Sequence, residues 1–520
     1  MKILVYSQVN AARIASSLGL PEYSYYFVLR DFLPALRCLG DVSIVETPEE
    51  EVDRLYDEAC AAGERCVFLS FSPPQKTPLA LRCPTVPVFA WEFDSIPSEH
   101  WLDELNQDWR YSLGQCGRGI THCGLTVQAV KAELGADFPI ISVPSPVWDK
   151  YQGFRAQPSD LPLKHARRIE VRSGVVLDTH DVALAPYMPG VGAVANAVKA
   201  ARAQERPDSQ APILTDVPLI PQPYRQQSRL QITRRYLGEW YLRGVRELLL
   251  RRPRLAPAGS ALTLVAEDET RHLEPRNTVE PLLLPKSGVT PQTPEWGLAP
   301  CSFELSGVVF TTLFNPYDGR KNWVDMLTAF CAAFKDTPDA TLLFKLGHHE
   351  YQSALNDMLM CMARMPTFRC RVVLLQGFLD GHEFESLIRA SAFVVNASHG
   401  EGQCLPLMEF LSCGKPAIAP RHSAMLDYID EDVAFIVDSW LDASAWSHDP
   451  RLAYRTCRHQ IDWASLVEAY RSAYACVIED PERYARMSAA AIERMQGHCS
   501  LAVASERLRA FLNSDEAPTP

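Results

Sequence analysis

Short apolar runs alternate with amphipathic stretches in two separate blocks of this chain, and that rhythm limits what it can fold into more than any single motif does. In the first block the runs fall at 2–7, 41–46, 66–71, 86–93, 119–123 and 139–144. Their length and β-branched character mark buried strands. Between them, stretches such as Tyr25 to Leu39 and Leu125 to Leu134 have helical spacing, long enough for right-handed crossovers over a parallel sheet. The second block starts at Gly307, with strands expected at Val308–Phe314, Thr341–Leu346, Val372–Leu375, Ala392–Ala397, Pro416–Ala419 and Ala434–Val437. Helical patterns at 323–335, 351–363, 382–391 and 406–413 fill its gaps. Alternation of this kind predicts an α/β protein with two Rossmann-like, doubly wound domains.

Residues 151–300 break the rhythm. They hold 17 of the 39 prolines and show no sustained alternation, so they are read as an insertion or elaborated linker. Inside it, Arg229 to Arg254 carries eight Arg against two Glu, interleaved with Leu237, Trp240, Tyr241, Val245 and Leu248. Such a basic, aromatic helix either packs between domains in contact with solvent or lies on anionic lipid, where it could present a lipid-linked acceptor. After Asp462 three helical patterns carry the chain to its end. The expected division is therefore an N-terminal domain at 1–150, the insertion at 151–300, a second domain at 301–461, and helices at 462–520 that cross back to the first domain.

The net charge of −12 argues against wholesale binding of nucleic acid. Fifteen cysteines are scattered without a CxxC pair, and nothing at the N-terminus resembles a signal peptide. Reduced thiols and a cytoplasmic location are expected. No run of eighteen apolar residues could span a bilayer.

In an open parallel sheet, ligands bind beyond the carboxyl ends of the strands. After the first strand of the second block comes Asn315-Pro316-Tyr317-Asp318-Gly319-Arg320-Lys321-Asn322, a turn that brings two cations to a helix start. Arg grips phosphate oxygens as a planar fork, Lys is a compact point charge, and the helix offers unpaired N–H groups. After the strand Ala392–Ala397 comes Ser398-His399-Gly400-Glu401-Gly402-Gln403-Cys404-Leu405-Pro406-Leu407-Met408-Glu409. Glycines permit close backbone approach, and Pro406 and Gly414 suit the two ends of a short helix. Glu401 and Glu409 thus bracket a helix N-terminus, where sugar and ribose hydroxyls could donate to them.

Glu401 and Glu409, with seven residues between them, followed by Gly414-Lys415-Pro416-Ala417-Ile418, resemble the signature of retaining GT-B glycosyltransferases, the group that includes glycogen and sucrose synthases. The resemblance is specific over 307–440, extends only to layout over 1–145 and does not reach 151–300. It implies two Rossmann-like domains facing a cleft and transfer of a hexose from a nucleotide diphosphate sugar. The acceptor it implies is a glycan or lipid-linked molecule, as in surface polysaccharide or glycolipid synthesis. By the same resemblance Glu401 contacts the donor sugar, Glu409 the ribose, and Lys321 with Arg320 the diphosphate. Ser398, Gly402, Cys404 and Leu405 line the donor, and Gly377 with Phe378 lie near the base. No cofactor or metal is implied, since a donor phosphate oxygen takes the acceptor's proton. Three residues depart from the pattern: Asn315 stands where the family carries Arg, and Gln403-Cys404 replaces an aromatic-Gly pair.

Across the cleft, Glu92 and His122 follow strands of the first block and are candidates for acceptor or donor-sugar contacts. Asp430-Glu431-Asp432 lies in a polar turn and His348-His349-Glu350 lacks ligand spacing, so neither is read as a metal site. Two alternatives stay open. One is a catalytically silent scaffold of the same fold, and the other is a different GT-B enzyme such as a nucleotide-sugar epimerase.

Overall fold

The computed structural model describes residues 1–9, 23–101, 104–157, 161–188, 190 and 299–514. The basic segment 229–254 and most of the Pro-rich stretch lie outside the described residues. The first sheet consists of β1 (Lys2–Ser7), β2 (Asp41–Ile44), β3 (Cys66–Phe71), β4 (Thr85–Phe89), β5 (Gly119–Thr121) and β6 (Ile140–Ser142). All are parallel, in the order β2-β1-β3-β4-β5-β6. Helices α1 (Tyr23–Arg37), α2 (Pro48–Ala61), α3 (Trp109–Cys116) and α4 (Gly124–Leu134) connect them. Burial on both faces explains the unbroken apolar runs. Ile3 and Val5 enter a core with Phe32, Leu113 and Val130, while Leu4 enters a separate one with Val52, Ala59 and Phe68.

The second sheet contains β10 (Val308–Phe314), β11 (Ala340–Leu346), β12 (Arg371–Gly377), β13 (Phe393–Val395), β14 (Ala417–Pro420) and β15 (Ala434–Val437). Its order is β15-β14-β13-β10-β11-β12, closed by β8 (Gly174–Asp178), which runs antiparallel to β12. Nearby, β7 (Arg167–Val171) pairs with β9 (Cys301–Leu305). Residues 167–178, placed by sequence in the insertion, thus belong to the second domain, because its edge strand would otherwise present an open row of backbone groups. Helices α5 (Trp323–Ala333) and α6 (Gln352–Ala363) cover one face, and α7 (Gly381–Ala390) and α8 (Leu405–Ser412) the other. Two facing, doubly wound domains are therefore present, as the α/β rhythm predicts.

Two further pieces join the domains. Helices α9 (Trp463–Glu479) and α10 (Pro481–Cys499) lead to α11 (Leu501–Asn513), whose Ala504, Leu508, Phe511 and Leu512 enter the first domain's core. Before them, β16 (Ser439–Ala445) and β17 (Tyr454–Ile461) form an antiparallel hairpin that the sequence pattern did not reveal. Its connection inserts Trp446, 2% exposed, against Trp101, and places His448 among Trp91, Trp101 and Trp109. No described helix is long and apolar enough to cross a membrane.

Candidate active site

The strand order of the second sheet reverses between β10 and β13, so the loops that follow these two strands depart to opposite faces and leave a crevice between them. Both loops carry the motif residues. After β10, the Asp318 carboxylate accepts from the Arg320 backbone N–H at 3.3 Å and forms an ion pair with Arg320 Nε at 3.0 Å, which holds the two cations in a tight turn. Asn322 then adopts a left-handed backbone, φ 51°, and its Nδ2 donates to Asp325 and to the Ala397 carbonyl after β13. The two loops are bonded directly to each other.

Glu401 lies at their junction and is 2% exposed. Lys321 Nζ donates to Oε1 at 2.7 Å and to Oε2 at 2.9 Å, and Arg320 Nη1 donates to Oε2 at 3.0 Å. Asn396 Nδ2 and Ser398 Oγ donate to Oε1 at 2.9 and 2.6 Å. Burial alone would push this carboxyl up, but Lys321 and Arg320 hold it well below the usual carboxylate range. The sign follows from magnitudes: attraction at this separation is roughly 5 kcal/mol per pair at an effective dielectric of about 20, and two such pairs exceed a desolvation cost of several kcal/mol. From the first domain Glu92 Oε1 reaches Arg320 Nε at 3.4 Å. Burial raises the Glu92 pKa, with Arg320 pulling the other way.

The first domain closes tightly on this loop. A Cβ on Gly402 would sit 2.9 Å from Trp91 N and from the Ala90 side chain, and one on Gly400 would sit 3.0 Å from the Glu92 carbonyl. Ser423, itself left-handed at φ 49°, accepts from the Glu401 backbone N–H through Oγ at 3.0 Å. Cys404, at φ 62°, is left-handed too. Of the four non-glycine residues with positive φ among the described residues, three, Asn322, Cys404 and Ser423, lie in the loops that meet at Glu401.

Glu409 is placed differently from the rest. Its Oε1 accepts from Lys150 Nζ at 2.6 Å and from Tyr151 OH at 2.9 Å, so its direct partners come from the crossover out of the first domain and not from the Glu401 network. His122 is 1% exposed, with Nδ1 2.9 Å from the Val143 carbonyl and the Phe32 ring edge-on to it; burial lowers its pKa to about 4. It is a neutral core imidazole in this conformation and does not meet Glu92 and Glu401. Gly377 and Phe378 sit at the far edge of the sheet, where a Cβ on Gly377 would lie 2.6 Å from the Ser173 carbonyl; Phe378 is 38% exposed. Leu405 packs between the cores of the two domains.

The departures from the family pattern have local explanations. Gln403 Oε1 accepts from the Ser145 backbone N–H at 2.6 Å and so ties the loop to the interdomain crossover. The Cys404 thiol accepts from Asn396 Nδ2 at 3.1 Å, and burial raises its pKa to about 12, which makes it a packing group and not a nucleophile. Asn315 Oδ1 accepts from the Tyr317 backbone N–H at 3.0 Å and shapes the turn. Sequence reasoning missed Asn396, Ser423, Lys150 and Tyr151, because nothing in spacing marks a side chain that reaches a carboxylate from another loop. It also missed His399, whose backbone N–H donates to the Arg320 carbonyl at 2.7 Å.

No family model and no curated protein matches the chain. Among solved structures it is similar to HepE of Anabaena in complex with UDP and glucose, at 11% identity and a TM-score of 0.46, over 99% of this chain and 100% of that one. It is also similar to a glycosyltransferase from Rickettsia africae, at 8% identity and a TM-score of 0.48, over 99% of both chains. A TarM variant of S. aureus in complex with Fondaparinux, α-GlcNAc-glycerol and UDP is similar at 7% identity and a TM-score of 0.41, over 86% of this chain and 55% of that one. At these identities the likeness assigns no residue of this chain.

Proposed function

We propose that this chain is a glycosyltransferase that moves a hexose from a nucleotide diphosphate sugar to a glycan or lipid-linked acceptor, with retention at the anomeric carbon. The observation that carries the reading is the bonded set Arg320, Lys321 and Glu401 at the strand-order reversal of a doubly wound sheet. In this reading the donor diphosphate lies at the cationic turn. Charge grows on that diphosphate as the glycosidic bond breaks, and Arg320 and Lys321, already oriented by Asp318 and Glu401, stabilise it without reorganising. Such contacts accelerate the step only to the extent that they strengthen in the transition state. The acceptor hydroxyl approaches from the face the diphosphate leaves and passes its proton to a donor phosphate oxygen. The reading assigns charge neutralisation to these cations and not to a metal. Glu409 binds the ribose diol, with Lys150 and Tyr151 fixing its carboxylate, and Glu92 contacts the sugar or acceptor from the first domain. Work at the cytoplasmic face of a membrane, in surface polysaccharide or glycolipid synthesis, is part of the same proposal.

The test is a mass-spectrometric screen for donor hydrolysis across a nucleotide-sugar panel, with melting curves in UDP and GDP. A ligand at 100 times its dissociation constant stabilises the fold by about 2.7 kcal/mol. Lys321→Ala should lower turnover more than donor affinity, and Glu409→Ala should weaken donor binding. Unchanged kinetics in both variants would remove the assignment. A second reading, a silent scaffold, is favoured by the five donor contacts that already occupy Glu401. No shift of the melting curve with either UDP or GDP, and no donor in the panel turned over, would select it.

A further inference from the structure

Arg320 is shared by three carboxylates that come from both domains. Its Nε is 3.0 Å from Asp318 Oδ2 and 3.4 Å from Glu92 Oε1, and its Nη1 donates to Glu401 Oε2 at 3.0 Å. The neighbouring Lys321 ammonium is engaged by Glu401, at 2.7 and 2.9 Å. Two cations thus stand among three carboxylates, and with every group ionised the cluster is net negative. A diphosphate brings more charge of the same sign to a place where partial burial weakens screening by salt and solvent. Its arrival is eased most by removing one of the cluster's own negative charges.

The three carboxylates are not equivalent. Glu401 receives five donor contacts and, though buried, is held ionised by Lys321 and Arg320. Asp318 accepts the Arg320 backbone N–H at 3.3 Å besides pairing with the side chain, and solvent reaches it. Glu92 has the 3.4 Å pair with Arg320 and, among the described residues, no hydrogen bond from any other group to its carboxylate, which is 14% exposed. A Cβ on Gly400 would lie 3.4 and 3.7 Å from Glu92 Cβ and Cγ, so the loop that bears Glu401 packs on its stem and keeps it at the cluster. The charged groups facing Glu92 are Arg320, Asp318 and Lys321 after β10 and Glu401 after β13. His399 of that second loop has its Nδ1 2.8 Å from the His459 carbonyl, and Asp94, two residues along from Glu92, accepts from Thr456 and Cys457. Burial raises the Glu92 pKa; Arg320 opposes that, and Asp318 and Glu401 add to it. Of the three carboxylates its charge is the least compensated.

We propose that Glu92 yields Arg320 to a phosphate oxygen and takes one proton from solvent onto its carboxylate when the donor binds, which links donor binding to proton uptake; this rests on the function proposed above. The carboxylic acid so formed stands on the wall of the first domain as a hydrogen-bond donor, the state in which it meets a sugar or acceptor oxygen. The linkage has a sign. The bound form holds this proton more tightly than the free form, so affinity rises as pH falls between the two values. A neutral side chain in place of Glu92 removes both the repulsion and the linkage.

Calorimetric titration of UDP and GDP at about pH 7 and about pH 8, in buffers of different ionisation enthalpy, counts the protons. The wild-type chain is compared with two neutral variants, Glu92→Gln and Glu92→Met, so that one which does not fold leaves the other. The nucleotide's own phosphates titrate alike in each titration, and the difference between proteins belongs to Glu92. The wild type is expected to take up more protons per nucleotide than the variants. Its dissociation constant should fall more steeply than theirs on going from pH 8 to pH 7, by up to about ten-fold, and at pH 8 the variants should bind more tightly than the wild type. Equal proton uptake in all three proteins, or none in the wild type, would overturn the inference and leave the proposed function standing. Weaker binding in the variants, or failure of both to fold, would make Glu92 a direct ligand of the nucleotide or a structural residue and overturn it as well. If the wild-type chain bound neither nucleotide, the proposed function would fail and this role of Glu92 with it.

Discussion

Glu401 draws its donors from four side chains on two loops, which makes it the residue on which the local structure depends. Replacing its charge while keeping its shape isolates the electrostatic part. Glu401→Gln leaves Lys321 and Arg320 facing a neutral amide, and removing one partner of a buried pair costs about 3–5 kcal/mol. These cations are partly exposed, at 15% and 28%, so solvent recovers part of that and a loss of about 2 kcal/mol is expected. The urea midpoint, at unchanged slope, measures it; a midpoint equal to that of the wild type would mean that the network contributes nothing to the fold. Linkage adds a direction with pH. Because the folded Glu401 carboxyl is held below its unfolded value, its contribution is present above the unfolded pKa and fades as pH falls through the acid range. Glu401 and Lys321 were legible because motif spacing and strand ends mark them. Asn396 and Ser423 were not, since their roles depend on where two loops meet.

Among the elements, the hairpin β16–β17 contributes most that the pattern of residues concealed. Its strands are mostly exposed or half-buried, so no apolar alternation announces them. Function enters through its ends. Thr456 Oγ1 and the Cys457 N–H donate to Asp94 of the first domain at 2.9 and 3.1 Å, while the His459 N–H donates to the His399 carbonyl at 2.9 Å. The same strand therefore touches the wall that bears Glu92 and the loop that bears Glu401. Trp446 anchors it, stacked on Trp101 at 6.1 Å between centroids. Trp446→Ala is expected to destabilise the protein by about 3–5 kcal/mol. Hydrogen exchange should localise the change to 439–461 and to the facing residues near Trp101. Protection there equal to the wild type would show that the hairpin does not dock through its tryptophan.

For the whole molecule, pH acts through imidazoles placed out of water. His122, His448 and His498 are lowered to about 4 and His422 to about 3, in each case mainly by burial. Unfolded, each returns to about 6.5. Between those values the unfolded chain binds more protons, so stability falls as pH drops from about 6.5 toward 4. Melting temperature followed across that window, with calorimetric proton uptake on unfolding near its middle, checks this; a flat profile would contradict the burial of these rings. The amino-acid sequence by itself determined the two parallel sheets, their helices and the cationic and acidic loops, because hydrophobic period and turn chemistry are local properties of the chain. Only the tertiary structure decided that 174–178 closes the second sheet, that Glu409 meets Lys150 and Tyr151, and that His122 is buried. Each of those joins residues more than a hundred positions apart or depends on how completely a neighbour excludes water, and neither distance in space nor exclusion of solvent is written in a local pattern.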